Sequence, residues 1–206
     1  MTRDCTPAYP ASLTGRATIS GRFTDAGGVA SYDFEERSAS RGRTLGTWHV
    51  VATGRTGASY STGLLAPGSE ACLRMRSRDS VGNVSPWTVA KCTTLPLDNT
   101  WMSGGVTHRS TIALGGTYRA LDAVGSRVVL AGQYGRQVVV TFLCGPGRAT
   151  AQVYLGSRSI GTGSLGARQV GRCTRVFTLS GDAAGSLQIV QRNRGVVDVD
   201  AIAIGR

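Results

Sequence analysis

A Ser-His-Asp triad in this chain would have to use one of only two histidines, His49 and His108. His49 lies in the strand-like stretch TWHV and His108 in THR, and no G-x-S-x-G elbow accompanies either. The 12 acidic residues are thinly spread. A glycosidase-type carboxylate pair stays open, although the sequence context marks none. The sequence therefore predicts a chain that is not an enzyme and uses no cofactor.

Among the carboxylates, Asp198 and Asp200 are the best candidates for metal ligands, because residues two apart in a strand point to the same face. A Ca²⁺ ion takes roughly six to eight oxygen ligands, so the site would also need backbone carbonyls and a carboxylate such as Asp182. No D-x-D-x-D-G loop supplies them. The alternative is that Asp200 anchors a neighbouring backbone in the last strand. The calcium site is therefore a weak candidate.

The cysteine spacing points to disulfides rather than to zinc, since no C-x-x-C occurs and the histidines are distant in sequence. Cys72 with Cys92 and Cys144 with Cys173 form one local pair in each half of the chain, and each pair can tie neighbouring strands. Cys5 is left over; it pairs outside the chain, stays free or competes for a partner. Disulfides indicate an oxidising compartment.

The net charge of +11 comes from 23 basic residues, of which only Lys91 is a lysine. The arginines are scattered singly through alternating stretches, without a run of five or more. This distribution is typical of a basic, solvated sheet face, and it predicts no dedicated nucleic-acid binding. The longest apolar run, Val138 to Leu143, is too short to span a bilayer.

Short alternating runs separated by Gly, Pro, Asn and Asp predict an all-β protein. The clearest case is the segment from Glu70 to Asp98, in which two strands and the turn DSVGN form a hairpin that brings Cys72 near Cys92. Further strands are predicted at 16–23, 29–37, 48–52 and 58–61, which is the rhythm of an immunoglobulin-like sandwich.

Residues 25–98 resemble a fibronectin type III-like domain through the segments GGVASYDFEE, LLAPGSEACLRMRSRDSVGNVSPW and KCTTLPLD. The closing segment is similar to those in exported multidomain proteins of GC-rich Gram-positive bacteria, where the two cysteines pair. The front of the chain departs from that pattern. The resemblance implies a first domain over residues 1–97.

The remaining residues, 98–206, resemble a jelly-roll or galactose-binding-like β-sandwich. The likeness rests on strand rhythm, with strands expected at 127–131, 136–143 and 150–155, and on the closing VDVDAI. The resulting fold prediction is two tandem β-sandwich domains, fibronectin type III/Ig-like and then jelly-roll-like.

Aromatic and arginine side chains supply the candidate ligand-binding residues. Arg74 and Arg76 alternate along one strand face, with Trp87 on the returning strand and Trp48 elsewhere in the domain. Such a set can bind a sugar or an anionic partner, or it can form a structural cation–π stack. The second domain contains four aromatic candidates, which either line a concave ligand surface or belong to an ordinary core: Trp101, Tyr118, Tyr134 and Tyr154.

Taken together, these patterns predict a non-catalytic exported module, extracellular or at the cell surface, that binds carbohydrate or cell-surface material or acts as a spacer. No signal peptide is visible, which favours a piece of a larger exported protein. The alternative is a structural subunit of an extracellular or viral assembly that packs through its β-sandwich surfaces.

Overall fold

The computed structural model describes Tyr9 and residues 12–206, and the fold is all-β, as predicted. Within these residues the only helix is a 3-10 turn, Asn99–Trp101. The first part of the chain forms two small sheets, one pairing β1 with β4 and the other ordered β3-β2-β5-β6. Its strands are β1 (Thr18–Ser20), β2 (Val29–Ala39), β3 (His49–Arg55), β4 (Ser59–Ser61), β5 (Glu70–Asp79) and β6 (Lys91–Thr94).

The two small sheets enclose a core because apolar residues alternate along β1 and β5. Its buried members are Ala17, Ile19, Phe34, Ala71, Leu73 and Met75. The segment returning from β5 is less regular than the predicted strand, and it becomes a strand only at Lys91. The reason is that Ser85 and Thr88 place hydroxyls on the backbone N–H groups of Ser77 and Met75, around Pro86, which has no N–H of its own.

The second part forms one larger sheet, ordered β12-β11-β13-β10-β14-β9-β8, with β7 beside β14. The strands are β7 (Leu97–Asp98), β8 (Val106–Arg109), β9 (Thr117–Leu121), β10 (Arg127–Cys144), β11 (Thr150–Leu155), β12 (Arg158–Ser164), β13 (Gly171–Gln191) and β14 (Val197–Gly205). Leu97 already pairs with Ile202 of β14. A domain boundary after residue 97 stays a prediction.

Two long strands, β10 and β13, fold this sheet into a sandwich. Residues 127–130 of β10 pair with the end of β13, whereas residues 137–144 pair with its beginning and with β14. The predicted strands at 127–131 and 136–143 are thus one bent strand. The bend contains Gly132 at φ +66° and Gly135, where a Cβ would lie 2.6 Å from the carbonyl oxygen of Gly205. Both layers contribute to a single core.

The structure contains both disulfides that the sequence predicts. Cys72 and Cys92 are direct cross-strand partners on β5 and β6, with Cα atoms 3.9 Å apart. Cys144 and Cys173 join β10 to β13, with Cα atoms 5.8 Å apart. These strands are neighbours in the sheet although β11 and β12 lie between them in sequence. Cys5 lies outside the described residues.

Arg206 links the second part of the chain to the first. The backbone N–H of Arg206 donates to Glu70 Oε2 at 3.1 Å, and its guanidinium contacts the same oxygen at 3.3 Å. The guanidinium also donates to the carbonyl oxygen of Ser40 at 3.0 Å. Both charged side chains are buried, and burial raises the pKa of Glu70 while Arg206 opposes the shift. Among the described residues, no helix is long and apolar enough to cross a membrane.

Candidate ligand-binding surfaces

The arginines of the first sheet are interleaved with tryptophan rings. The Cζ atom of Arg74 lies 4.4 Å from the ring centroid of Trp48 and 5.0 Å from that of Trp87. Arg76 covers Trp87 at 4.5 Å, and Arg37 covers Trp48 at 4.7 Å. These five residues, from Arg37 through Trp48, Arg74 and Trp87 to Arg76, form a continuous stack that we call the Trp–Arg ladder.

Carboxylates on β2 pair with the arginines of the ladder. Glu35 and Asp33 lie directly opposite Arg74 and Arg76 in the strand register. Arg74 Nε donates to Glu35 at 2.7 Å, and Arg76 Nε donates to Asp33 at 3.0 Å. Since these guanidinium groups already have anionic and aromatic partners, the contacts favour a structural role. Ligand binding by Arg74, Arg76 and Trp87 stays a prediction.

The four aromatic candidates of the second part lie apart from one another. Trp101, 49% exposed, stands in the 3-10 turn beneath Arg41, whose Cζ is 4.7 Å from its ring centroid. Tyr134 lies at the bend of β10 and donates to Asp182 at 3.1 Å. Tyr154 is half-buried on β11, and Tyr118 is on β9. No ring contact joins any two of the four within the described chain.

Tyr118 has a partner that the sequence did not indicate, the ring of His108. The two rings stack at 5.5 Å between centroids and 23° between planes, because their residues are register partners on β8 and β9. His108 is exposed on the edge strand, and Tyr118 is half-buried. The stack therefore borders solvent at the edge of the sheet.

A buried ion pair lies beside this stack. Asp198 pairs in register with Ala120, two residues from Tyr118, so its side chain shares the face of Tyr118. It is 1% exposed, and its Oδ2 lies 2.6 Å from a guanidinium nitrogen of Arg148. Burial raises the pKa of Asp198, and the charges of Arg148 and His108 oppose that shift. We call the four residues Tyr118, His108, Asp198 and Arg148 the edge cluster.

Asp200 has different partners from Asp198, although the sequence predicted that both point to one face. The pairing of β10 with β14 shifts register at this point, which makes Asp200 the extra residue of a bulge. Its carboxylate accepts from the N–H of Leu114 at 2.9 and 3.0 Å, so it anchors a neighbouring backbone. Burial raises the pKa of Asp200 to about 6, and the charge of Asp98 adds to the shift.

Among the described residues, a single group of three side chains is close enough together to hold a metal ion: Glu70, Cys72 and Cys92. The two cysteines are bonded to each other, so neither offers a thiolate. Asp198 and Asp200 belong to no such group, and Asp182 accepts from Tyr134 instead. A calcium site on Asp198 and Asp200 stays a weak prediction.

Neither histidine is part of a nucleophile–base pair in the described part of the chain. No hydrogen bond joins His49 or His108 to a serine, threonine or cysteine side chain there.

A small cleft of ≈ 100 Å³ lies on the outer face of β13, β10 and β14, and its walls include Leu114, Val139 and Arg172. The edge cluster combines an exposed aromatic side chain, His108, with a fixed ion pair, Asp198 and Arg148.

Comparisons with known proteins gave structural likeness only. No protein-family model matches the chain, and no curated protein sequence matches it. The chain is similar to the CBM36-1 domain of a multidomain xylanase from the hindgut metagenome of Trinervitermes trinervoides, at 17% identity and a TM-score of 0.41. That match covers 52% of this chain and 92% of the domain.

Two further structures show a similar degree of likeness. A β-1,3-glucan binding CBM6 from Bacillus halodurans matches at 13% identity and a TM-score of 0.43, covering 54% of this chain and 95% of the module. The catalytic domain of a GH87 α-1,3-glucanase in complex with nigerose matches at 14% identity and a TM-score of 0.39. There the match covers 54% of this chain but only 28% of the other.

Proposed function

We propose that the chain is a non-catalytic, exported module that binds carbohydrate through the edge cluster. The observation that carries the proposal is the stacked pair of Tyr118 and His108 beside the buried pair of Asp198 and Arg148. An aromatic ring face packs on the apolar face of a pyranose, and a few fixed polar groups give orientation to the sugar hydroxyls. The two disulfides support an oxidising, extracellular setting.

Residues 1–97 act in this proposal as a fibronectin type III-like spacer. The Trp–Arg ladder supports that role, since two of its three arginines, Arg74 and Arg76, are paired with Glu35 and Asp33 rather than available to a ligand. The likeness to exported proteins of GC-rich Gram-positive bacteria stays a prediction. The alternative, a structural subunit of a larger assembly, would give higher oligomers in light scattering instead of one discrete mass.

The test is retention on neutral polysaccharides at high salt, where contacts that depend on net charge are screened. β-1,3-glucan and xylan are suitable probes. We expect Tyr118→Ala and His108→Ala each to weaken retention about tenfold, which corresponds to about 1.4 kcal/mol. The matched control is Thr107→Ala, which alters an exposed residue on the opposite face of the same strand.

Two outcomes would contradict the proposal. One is unchanged affinity of both Tyr118→Ala and His108→Ala for the polysaccharide, while each variant keeps the wild-type far-UV circular dichroism spectrum and so the wild-type fold. The other is a wild-type chain that no neutral polysaccharide retains. Loss of retention in Trp101→Ala alone would move the site to the 3-10 turn.

A further inference from the structure

Four loops meet at one end of the second sandwich; backbone contacts join three of them directly and connect the fourth through Gln191. They are residues 122–126, 145–149, 165–170 and 192–196, which we call the loop end. Isolated bridges connect Gly145 with Gly166 and Arg148 with Val196. The N–H of Arg192 donates to the carbonyl oxygen of Thr150 at 2.9 Å, and the N–H of Thr150 donates to Asn193 Oδ1 at 2.6 Å. The loops are thus held in a fixed arrangement.

The loop end has far more positive than negative charge. Its arginines are Arg148, Arg168, Arg192 and Arg194, and its only acidic residue is Asp122. Arg168, Arg192 and Arg194 are exposed. Within the part of the chain that the structure describes, no carboxylate lies within ion-pair distance of these three guanidinium groups.

The surrounding sandwich does not offset this charge. Residues 99–206 contain twelve arginines and four aspartates. Two of the aspartates are buried, with Asp198 paired to Arg148 and Asp200 bonded to a backbone N–H. A rigid surface that has several unpaired guanidinium groups matches a polymer with repeated carboxylate or sulfate groups, because the guanidinium fork binds such oxyanions in pairs of hydrogen bonds.

We propose that the loop end is a docking surface for an acidic polysaccharide. The four loops contain no aromatic residue, so they offer no ring on which nucleobases could stack. This absence favours a charged glycan over a nucleic acid. The loop end adjoins the edge cluster, since Arg148 belongs to both. Its exposed arginines act through charge, whereas the stack of Tyr118 and His108 acts through ring contact.

The experiment measures binding of the full chain to dextran sulfate, polygalacturonate and neutral dextran over a series of salt concentrations. We expect binding to the two acidic polymers that falls steeply as salt rises, and no salt-dependent binding to neutral dextran. The variant Arg168→Gln/Arg192→Gln/Arg194→Gln should bind the acidic polymers at least about tenfold more weakly.

The matched control removes three exposed arginines elsewhere: Arg43→Gln/Arg55→Gln/Arg158→Gln. It changes the net charge equally and should stay within about twofold of wild type. Equal losses in both triple variants would overturn the proposal, since net charge alone would then explain binding. So would tighter binding to a single-stranded DNA oligonucleotide than to either acidic polymer, or no binding at all. We expect the Arg168→Gln/Arg192→Gln/Arg194→Gln variant to keep wild-type retention on neutral glycans at high salt, so the two proposals fail separately.

Discussion

Arg74 in the first sheet and Arg192 in the second sandwich place the same side chain in opposite surroundings. The guanidinium of Arg74 lies between the rings of Trp48 and Trp87 and donates to Glu35. Arg192 is exposed in a loop, with no carboxylate in ion-pair distance among the described residues. The comparison shows that the arginines of this chain, whose net charge is +11, have at least two roles, one structural and one available to a partner.

The position of the acidic residues produces this difference. Residues 1–98 contain eight acidic and eleven basic residues, whereas residues 99–206 contain four and twelve. On β2, Glu35 and Asp33 stand opposite arginines in the register. In the second sandwich, half of the aspartates are buried. An arginine excess therefore says little about partners until the carboxylate neighbours are known.

Arg148 is the sharpest test of the comparison, because it belongs to the loop end yet pairs with buried Asp198. We expect Arg148→Ala to lower the free energy of unfolding by about 3 kcal/mol at neutral pH, since it leaves a buried carboxylate without its cation. Urea denaturation would measure this. The control, Arg168→Ala in a neighbouring loop, should change stability by less than about 0.5 kcal/mol.

The loss in Arg148→Ala should depend on pH. Burial raises the pKa of Asp198 above its ordinary 3.8 in the folded chain, so folding favours the protonated form and stability falls as pH rises through the folded-state pKa. Removing Arg148 raises that pKa further. The variant should therefore approach wild-type stability in acid and differ most above neutral pH. An equal deficit at both extremes would mean that Arg148 stabilises the fold only by packing.

Arg74→Ala should have the next largest effect, about 2 kcal/mol, because it interrupts the Trp–Arg ladder at its centre and leaves Glu35 unpaired. Guanidinium chloride would screen the ion pair, so urea denaturation is the better measurement. Arg78→Ala is the control: the Arg78 side chain is 42% exposed and its guanidinium lies 3.8 Å from Asp33, so we expect a loss of stability of less than about 1 kcal/mol. Similar losses in both variants would contradict a special role for the ladder.

Arg192→Ala should have the smallest effect on stability, less than about 0.5 kcal/mol by thermal or urea denaturation. Its effect should instead be on salt-dependent binding to acidic polysaccharide. A loss of stability above about 1 kcal/mol would show that the loop end uses its arginines structurally, as the first sheet does.

The sequence contained the information for much of the fold. Arg74 and Arg76 alternate with Leu73 and Met75 along β5, and Leu73 and Met75 are fully buried on the opposite face. Each half contains one pair of cysteines, and both pairs are bonded. The sequence did not reveal the partner of Tyr118, although His108 sits in a short alternating stretch. Nor did it reveal the bulge at Asp200, because a register shift depends on the neighbouring strand.

By itself, then, the sequence determined the strand-rich fold, the pairing of cysteines within each half and the faces of individual strands. These are local properties, since they follow from alternation and from chain separation. Only the tertiary structure decided that Arg74 meets Glu35, that His108 covers Tyr118 and that four loops gather their arginines at one end. Those contacts join residues far apart in sequence, and they are set by strand register and sheet order, which the packing of the whole core determines.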